Sequence, residues 1–447
     1  MLAGLAYAVG MATGFASDDY GWLRHGVRGE LGWDTSIKLA GHTNALPLEI
    51  ALYHLKFTLF GFNALAYHLF SLVGHAGNVL FIYALARRLG SGVRVASLAA
   101  AFAAVLAAGS QAVYWMSGDP HLYAGLLALG ALILYIDHRE RGGWWRYAGA
   151  LVLAIAAPLV KAEGVAVIAG VVGYEVIWRR PPSFTWKAVP FALAPLPFVV
   201  WEWTTTDQLA RQRGFGFSTV LSGLDYLRQL VLPLAPSSFI ESAGSLSHRV
   251  LNVGIGGALY AEAAVLAVLF IAGLTRRQGW LFFFLGMAGT APALVVTLGT
   301  QPRYDYFAGL VAMPVVATGA WVLFKRAWDR YEHQMILPAT TLVLAVVISF
   351  QAWITAIESG ALRAAHAESL ALRTAVLKDH PAVPDGTPIC ILNSPLDSGT
   401  AISVFSDPRL APEVGLPAVS RCDSADQAVS GGWVYARQPD GTYLEVR

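Results

Sequence analysis

The chain has 447 residues, of which 56% are hydrophobic and 13% are charged, and its formal net charge is +2. Soluble domains carry about 25% charged residues, so this composition excludes an ordinary soluble protein and predicts an integral membrane protein. Because the net charge is small and no basic cluster alternates with aromatic residues, no nucleic acid partner is expected.

Long apolar runs recur along the chain. A helix that crosses the bilayer core needs about 20 such residues, and on this scale we predict an α-helical polytopic membrane protein with about eleven transmembrane helices in residues 1–356. The predicted spans are residues 1–16, 64–85, 95–115, 122–136, 147–160, 164–178 and 189–203, a run ending at Arg276, residues 280–298, a run ending at Phe324, and residues 336–354.

Two long loops interrupt these spans. The first, residues 17–62, contains an amphipathic helix over residues 48–60, on which Glu49 and Lys56 are interpreted as surface charges. The second, residues 204–249, is predicted to contain an interfacial helix at residues 219–232.

Residues 357–447 form a second unit of different composition. A helical stretch is followed by a predicted strand over residues 387–393 and by a hairpin over residues 432–446, whose turn is Pro439-Asp440-Gly441. We therefore expect a small C-terminal α/β domain. Cys390 and Cys422 both lie here, and two cysteines in one small segment suggest a disulfide and an oxidising compartment.

The cations of the short loops give the orientation. Arg87, Arg88 and Arg276 are examples of a set that falls on one side of the predicted spans. Short loops rich in Lys and Arg face the cytoplasm. The two long loops and the C-terminal domain are then extracytoplasmic, which agrees with the cysteine argument.

Charged and polar residues that border the apolar runs on the outer side are the candidates for a site. Carboxylates suit a general base or a metal, and Arg or Lys suits a phosphate. Helix capping by Asp119, packing by His121 and a solvated turn containing Lys161 and Glu163 are open alternatives. The candidates are Asp18, Asp19, His42, Asp119, His121, Lys161, Glu163, Arg303 and Tyr304.

Several polar residues inside the spans are interpreted as structural. His68 and His75 are expected to bond to neighbouring backbone or side chains. Asn78 and Glu175 are expected to form hydrogen bonds between helices.

Several short motifs resemble those of the GT-C glycosyltransferases, which are polytopic enzymes that use lipid-phosphate-linked sugars. Within them the chain looks closest to bacterial relatives of the protein O-mannosyltransferases and of the transmembrane tetratricopeptide-containing mannosyltransferases, without the repeats. The motifs are Asp18-Asp19-Tyr20, Asn44-Ala45-Leu46-Pro47-Leu48, Lys161-Ala162-Glu163 and Arg303-Tyr304-Asp305-Tyr306.

The resemblance implies an inverting glycosyltransferase in the cell envelope, in the bacterial inner membrane, with its active site and C-terminus extracytoplasmic. The donor would be a polyprenyl-phosphate sugar and the acceptor an unidentified hydroxyl on a protein, lipid or glycan. Asp18 or Asp19 would take the acceptor proton, or the pair would bind a divalent metal; no other cofactor is expected. Arg303, with Lys161, would hold the phosphate, while His42, Asp119, His121, Glu163 and Tyr304 would contact substrate.

Two other functions are compatible with this sequence. A transporter or flippase of a lipid-linked sugar would show paired internal repeats and charges near the middle of the membrane; here the charges border one face and no repeat is found. A non-catalytic assembly protein with a GT-C-like fold would be favoured by loss of the Asp pair, and both Asp residues are present.

Overall fold

The structure is a computed structural model, and it describes most of the chain. The described residues are 2–16, 18–32, 46–106, 109–179, 186–198, 200, 264–296, 306–331, 333–394, 396, 398–411, 414–422, 424, 427 and 432–446. The predicted interfacial helix at residues 219–232 lies outside them.

The chain begins with a short helix rather than the single span predicted for residues 1–16. Helix α1 (Leu2–Tyr7) continues as a 3-10 turn over Ala8–Ala12, and extended backbone at Thr13 ends it. The ring of Tyr114 packs directly against Gly10, where a Cβ atom would lie 1.8 Å from it. A glycine is therefore needed at this close approach.

Helices form most of the remaining structure. Long apolar stretches rich in Ala and Leu favour them, and glycine or proline stands at many of their ends. The helices are α2 (Asp19–Val27), α3 (Pro47–Phe60), α4 (Ala64–Arg88), α5 (Val93–Ala104), α6 (Ser110–Tyr114), α7 (Pro120–Arg141), α8 (Trp144–Val160), α9 (Ala166–Gly173), α10 (Val189–Leu193), α11 (Ala264–Leu274), α12 (Arg277–Val296), α13 (Tyr306–Arg330), α14 (His333–Asp379) and α15 (Ser398–Ser403).

The protein is a multi-pass membrane protein. Within the described residues, four helices are long and apolar enough to cross a bilayer: α4, the stretch Met116–Arg141 that contains α7, α13, and Ile336–Asp379 in α14. Helices α11 and α12 meet at a bend of 118° and count as a fifth if they cross as one broken span. The described part thus accounts for four or five of the eleven predicted spans.

Two predicted spans are interrupted helices. The stretch predicted at residues 95–115 consists of α5 and the five-residue helix α6, and the stretch at residues 164–178 of a 3-10 turn, α9 and a π-helical turn over Tyr174–Trp178. In the second stretch, Glu175 is buried and accepts hydrogen bonds from Tyr135 and Arg139. The π turn therefore occurs where a buried carboxylate is held by its neighbours.

The C-terminal unit is the predicted small α/β domain. Its strands are β1 (Pro388–Leu392), β2 (Ala418–Cys422), β3 (Trp433–Arg437) and β4 (Tyr443–Glu445), in the sheet order β2-β1-β3-β4. Strands β1, β2 and β3 are parallel, whereas β3 and β4 form the predicted antiparallel hairpin. Cys390 of β1 and Cys422 of β2 form a disulfide.

Two hydrophobic cores hold these parts together. The larger core lies among the membrane helices. The smaller one joins the first outer loop to the C-terminal domain, since Phe15 and Tyr20 pack in one cluster with Leu372, Ile389 and Phe405. The C-terminal domain is therefore seated on the segment that carries Asp18 and Asp19.

Candidate active site

Asp19 fixes the start of the first outer loop. It lies in the first turn of α2 with 0% of its surface exposed. Its Oδ2 accepts the Ala16 backbone N–H at 2.9 Å, and its Oδ1 accepts the backbone N–H and the Oγ–H of Ser117, both at 2.9 Å. The indole N–H of Trp115 donates to the Ala16 carbonyl oxygen at 3.1 Å. Asp19 thus ties this loop to the turn between α6 and α7.

Burial changes the acidity of this carboxyl. It raises the pKa of Asp19 to about 7, because a charged carboxylate is poorly solvated in the interior. The hydrogen bonds from Ala16 and Ser117 act in the opposite direction, and the negative charge of Asp18 adds to the rise. Asp19 is therefore an interior acid that titrates near neutrality.

Asp18 lies in a different environment from its neighbour. Its side chain is exposed, one residue before α2 begins. Its backbone carbonyl oxygen accepts the N–H groups of Gly21 at 3.0 Å and Trp22 at 3.3 Å. Of the two acids predicted to be catalytic, Asp18 is the one that lies at the surface.

Asp119 is buried in an ion pair. Its two carboxylate oxygens accept hydrogen bonds from Lys56 Nζ at 2.8 and 2.7 Å, and Oδ2 also accepts one from Ser71 Oγ at 2.9 Å. Both charged side chains are 0% exposed. Lys56 Nζ also lies 4.5 Å from the ring centroid of Tyr53, and burial lowers its pKa although Asp119 opposes the change.

The interpretation of Lys56 and Glu49 as surface charges was therefore wrong. Both side chains point inward from α3, at 0% and 2% relative exposure. Their partners lie far along the chain, immediately before α7 and after α8, so an amphipathic pattern read locally could not reveal them.

Lys161 and Glu163 do not pair with each other. Lys161 Nζ donates to the two carboxylate oxygens of Glu49 at 3.0 and 3.2 Å. His121 Nδ1 lies 2.6 Å from Glu163 Oε1, and both side chains are almost fully buried. Lys161 is more accessible than the buried Lys56, with 23% of its side chain exposed. These contacts connect the turn after α8 to α3 and to α7.

Unpartnered polar atoms gather where the first segment, α6 and α14 meet. Among the described residues, the buried atoms without a hydrogen-bond partner include Thr13 Oγ1, Ser110 Oγ, Gln111 Oε1, Arg363 Nε and His366 Nδ1. The His366 ring stacks on Tyr20 at 6.3 Å between centroids. Buried polar atoms are nearly always paired, so this junction has spare capacity to bind a polar ligand.

Sequence reasoning did not single out the α14 members of this junction. Arg363 and His366 lie in a stretch that was predicted only as a helix continuing outward. With Ser359 they occupy positions i, i+4 and i+7, which share one face of a helix. This spacing is a signal in the sequence that could have identified these residues as a polar helix face.

Three predicted site residues lie outside the described part of the chain: His42, Arg303 and Tyr304. Tyr306, the last residue of the same motif, is described and fully buried at the start of α13. Its hydroxyl accepts a hydrogen bond from Asn78 Nδ2 at 3.1 Å and lies 2.9 Å from His75 Nδ1.

The polar residues interpreted as structural have the expected kind of partner. His68 Nε2 lies 2.8 Å from the Thr13 carbonyl oxygen. Asn78 links α4 to α7 by donating to the Leu122 carbonyl oxygen at 2.8 Å. Glu175 links α7 to the π turn through Arg139.

The acidic pair does not provide a divalent metal site in the part of the chain that is described. Both oxygens of Asp19 already accept hydrogen bonds from N–H or O–H donors. No group of three His, Cys, Asp or Glu side chains among the described residues could hold an ion. A metal ion needs several converging oxygen or nitrogen ligands, and the residues present do not fit one.

No family model matches the chain, and no curated protein matches it. Among solved structures, it is similar to the Archaeoglobus fulgidus oligosaccharyltransferase in complex with Zn and sulfate, with 12% identity and a TM-score of 0.49 over 94% of this chain and 62% of that chain. It is also similar to ArnT from Cupriavidus metallidurans in the apo state, with 12% identity and a TM-score of 0.49 over 98% of this chain and 91% of that chain. For ArnT bound to undecaprenyl phosphate, the TM-score is 0.46 at 12% identity, over 98% and 92% of the two chains.

These solved structures are GT-C glycosyltransferases, the superfamily that the sequence motifs resemble, but they give no specific support to the mannosyltransferase relationship. The chain spans less than two thirds of the length of the archaeal oligosaccharyltransferase. At 12% identity and with TM-scores below 0.5, the likeness carries no conclusion about the activity of this chain.

Proposed function

We propose that the chain is a glycosyltransferase that moves a sugar from a polyprenyl-phosphate donor to an acceptor hydroxyl, with inversion at the anomeric carbon. The observation that carries the proposal is the exposed Asp18, which lies close in the chain to a junction of buried polar atoms without partners. A sugar phosphate is a ligand rich in hydrogen-bonding groups, and such a junction favours it over an apolar ligand.

Asp18 is the proposed general base. Its carboxylate takes the proton of the acceptor hydroxyl as the hydroxyl oxygen forms a bond to the anomeric carbon. The bond between that carbon and the phosphate oxygen breaks in the same step, and the polyprenyl phosphate leaves with the electron pair. Asp19 acts as a positioning residue, since its contacts with Ser117 and Ala16 hold the loop that carries Asp18.

Cations would offset the charge of the leaving phosphate. Arg303 is the proposed main contact, because Arg can hold a phosphate through two parallel hydrogen bonds. The partly exposed Lys161 and the unpartnered Nε of Arg363 are further donors.

The remaining predicted residues divide between contact and support. His42 and Tyr304 are proposed to contact the sugar or acceptor. Asp119, His121 and Glu163 are bonded within the protein and are proposed to shape the wall of the site. The proposed location of the site and of the C-terminal domain is the extracytoplasmic side of the bacterial inner membrane, which the disulfide supports because it fits an oxidising compartment.

This function is tested by measuring whether the purified protein releases polyprenyl phosphate from a sugar donor. A panel of polyprenyl-phosphate sugars is incubated with cell-envelope extract as the source of acceptor. Loss of a general base typically costs 10²- to 10⁴-fold, so Asp18→Asn is expected to lower the release rate at least ~100-fold while donor binding is retained.

Asp329→Asn is the matched control, because Asp329 is an exposed acid at the end of α13 and should leave the rate unchanged. Asp18→Glu should keep a measurable part of the activity. Full activity of Asp18→Asn in a monodisperse, folded sample would rule out Asp18 as the base. No release with any donor from the unaltered protein would favour a non-catalytic protein instead.

A further inference from the structure

A pocket lined by apolar side chains and by three arginines lies at the far end of the membrane helices. It has a volume of about 840 Å³. Its wall is formed by the connection after α4 and the start of α5 (residues 89–95), by the bend between α11 and α12, and by one face of α13. Thr275 and Arg276, at the break between α11 and α12, are among the residues that line it.

The pocket is remote from the candidate active site. Ser71, which bonds to Asp119, and Leu89, which lines the pocket, are 18 residues apart along α4 and its end. At 1.5 Å per residue this separation is about 27 Å, close to the thickness of a bilayer core. The pocket therefore opens on the opposite membrane face, which the sequence predicts to be cytoplasmic.

The charged side chains that line the pocket are all cationic. Arg94, Arg276 and Arg277 line it, and none of the described residues that line it is acidic. The Arg94 and Arg276 side chains are exposed. The Arg94 guanidinium lies 6.0 Å from the ring of Trp321, and that of Arg277 lies 5.9 Å from the ring of Trp178.

The polar groups beneath the arginines bond to one another. Ser91 Oγ donates to Gln278 Oε1 at 3.1 Å, and Gln278 Nε2 donates to Thr318 Oγ1 at 2.8 Å. This chain joins the segment after α4 to α12 and α13. It fixes the spacing of the elements that carry the three arginines, so the cationic wall is preorganised.

We propose that this pocket binds a phosphate group, carried by the headgroup of an anionic phospholipid or by a free phosphate ester. Guanidinium groups bind phosphate oxygens through paired hydrogen bonds. Basic pockets between helices at the cytoplasmic surface suit lipid headgroups, and tryptophan favours the interfacial depth. This site is separate from the proposed transferase site and does not depend on that activity.

Binding by the full chain in detergent tests the proposal. Native mass spectrometry follows titration with phosphatidylglycerol and with phosphatidylcholine, and equilibrium dialysis follows radiolabelled inorganic phosphate. The double variant Arg94→Gln/Arg276→Gln loses two charged donors, so its affinity for the bound probe is expected to fall at least ~10-fold. Arg141→Gln/Arg330→Gln removes two exposed cations of the same predicted face that do not line the pocket, and should leave affinity unchanged.

The two probes separate the sources of the phosphate. Arginine-dependent binding of phosphatidylglycerol alone identifies a lipid site, and equal dependence for inorganic phosphate identifies a free phosphate site. Equal affinity of the pocket variant and the unaltered protein for every probe, or an equal loss in the control, overturns the proposal. If the glutamine variant is not monodisperse, Arg94→Lys/Arg276→Lys keeps the charge but not the paired geometry, and its affinity should be intermediate.

Discussion

Asp18 and Asp19 are adjacent and chemically identical, yet one is exposed and the other buried. A helix begins between them, so their side chains leave the backbone in different directions. The buried carboxylate accepts three hydrogen bonds, and two of these come from Ser117, which is 98 residues away in sequence. The sequence could identify the pair as notable, but a contact over that separation could not be read from it.

The buried acid predicts a dependence of stability on pH. Because the pKa of Asp19 is raised to about 7 in the folded protein, the folded state binds the proton more tightly than the unfolded chain does. Its stabilising contribution is therefore full below about pH 4 and is lost as pH rises through about 7. The thermal unfolding midpoint in detergent, measured from pH 4 to 8, should show this fall.

Asp19→Asn provides the comparison, because it removes the titrating group and keeps the side-chain volume. The difference between the two midpoint curves isolates Asp19 from other groups that titrate in this range. Parallel curves over the whole range would contradict the raised pKa.

The buried pair of Lys56 and Asp119 predicts a non-additive response to mutation. Lys56→Met leaves the Asp119 carboxylate buried without its partner cation and should cost about 3–5 kcal/mol of unfolding free energy. The double variant Lys56→Met/Asp119→Leu removes both charges and should cost clearly less. Chemical or thermal unfolding in detergent measures both.

Arg28 and Glu30 are the exposed counterpart, 4.0 Å apart with side chains 51% and 39% exposed. Arg28→Met should change stability by less than about 1 kcal/mol, since solvent screens such pairs. A double variant as unstable as Lys56→Met alone would show that the loss comes from packing and not from charge.

Three long-range contacts are made within five residues, in the turn between α6 and α7 and the first turn of α7. Ser117 holds Asp19, Asp119 holds Lys56, and His121 holds Glu163. Gly118 makes this turn possible, since a Cβ atom there would lie 2.6 Å from the Gln111 carbonyl oxygen. Asp119 and His121 were each candidates from the sequence, but the role of this turn as the meeting point of three contacts was not predicted.

A pair of glycine substitutions tests this turn. Gly118→Ala should destabilise the protein by about 1–3 kcal/mol, because the backbone oxygen of Gln111 must move. Gly21→Ala in α2 meets nothing within 4 Å and should be neutral or slightly stabilising, since alanine favours helix. Unfolding midpoints compare the two, and similar midpoints would contradict the close approach.

Helices were predictable where apolar residues continue without interruption, and less so elsewhere. α4, α7 and α8 lie close to their predicted positions. The interruptions in residues 95–115 and 164–178 depend on packing between distant segments. Such packing cannot be inferred from hydropathy, so the interruptions were not predicted. Strand β2 was not predicted, because its pairing with β1 crosses a long connection.

At the scale of the molecule, the C-terminal domain and the first outer loop share one core. The predicted division at residue 357 follows composition, whereas the shared core depends on contacts between residues more than 300 positions apart. Destabilising the small sheet should therefore also destabilise α2. The outer location of both segments, predicted from charge, fits this contact.

Removing the disulfide tests this coupling. Cys390→Ser/Cys422→Ser opens a loop of 32 residues and should cost about 4 kcal/mol. Hydrogen exchange should become faster in β1 and β2 and also in α2. A reductant should reproduce the effect in the unaltered protein and do nothing to the double variant; unchanged exchange in α2 would contradict the coupling.

Helix α14 runs without interruption from the membrane helices into the C-terminal domain. Its 47 residues extend about 70 Å, whereas a bilayer core is about 30 Å thick. Helices adjust their tilt when lipid thickness changes, and a 10° change of tilt moves a point about 40 Å further along by about 7 Å. A change in the thickness of the surrounding bilayer is therefore transmitted as a mechanical load to the core that the sheet shares with the segment carrying Asp18.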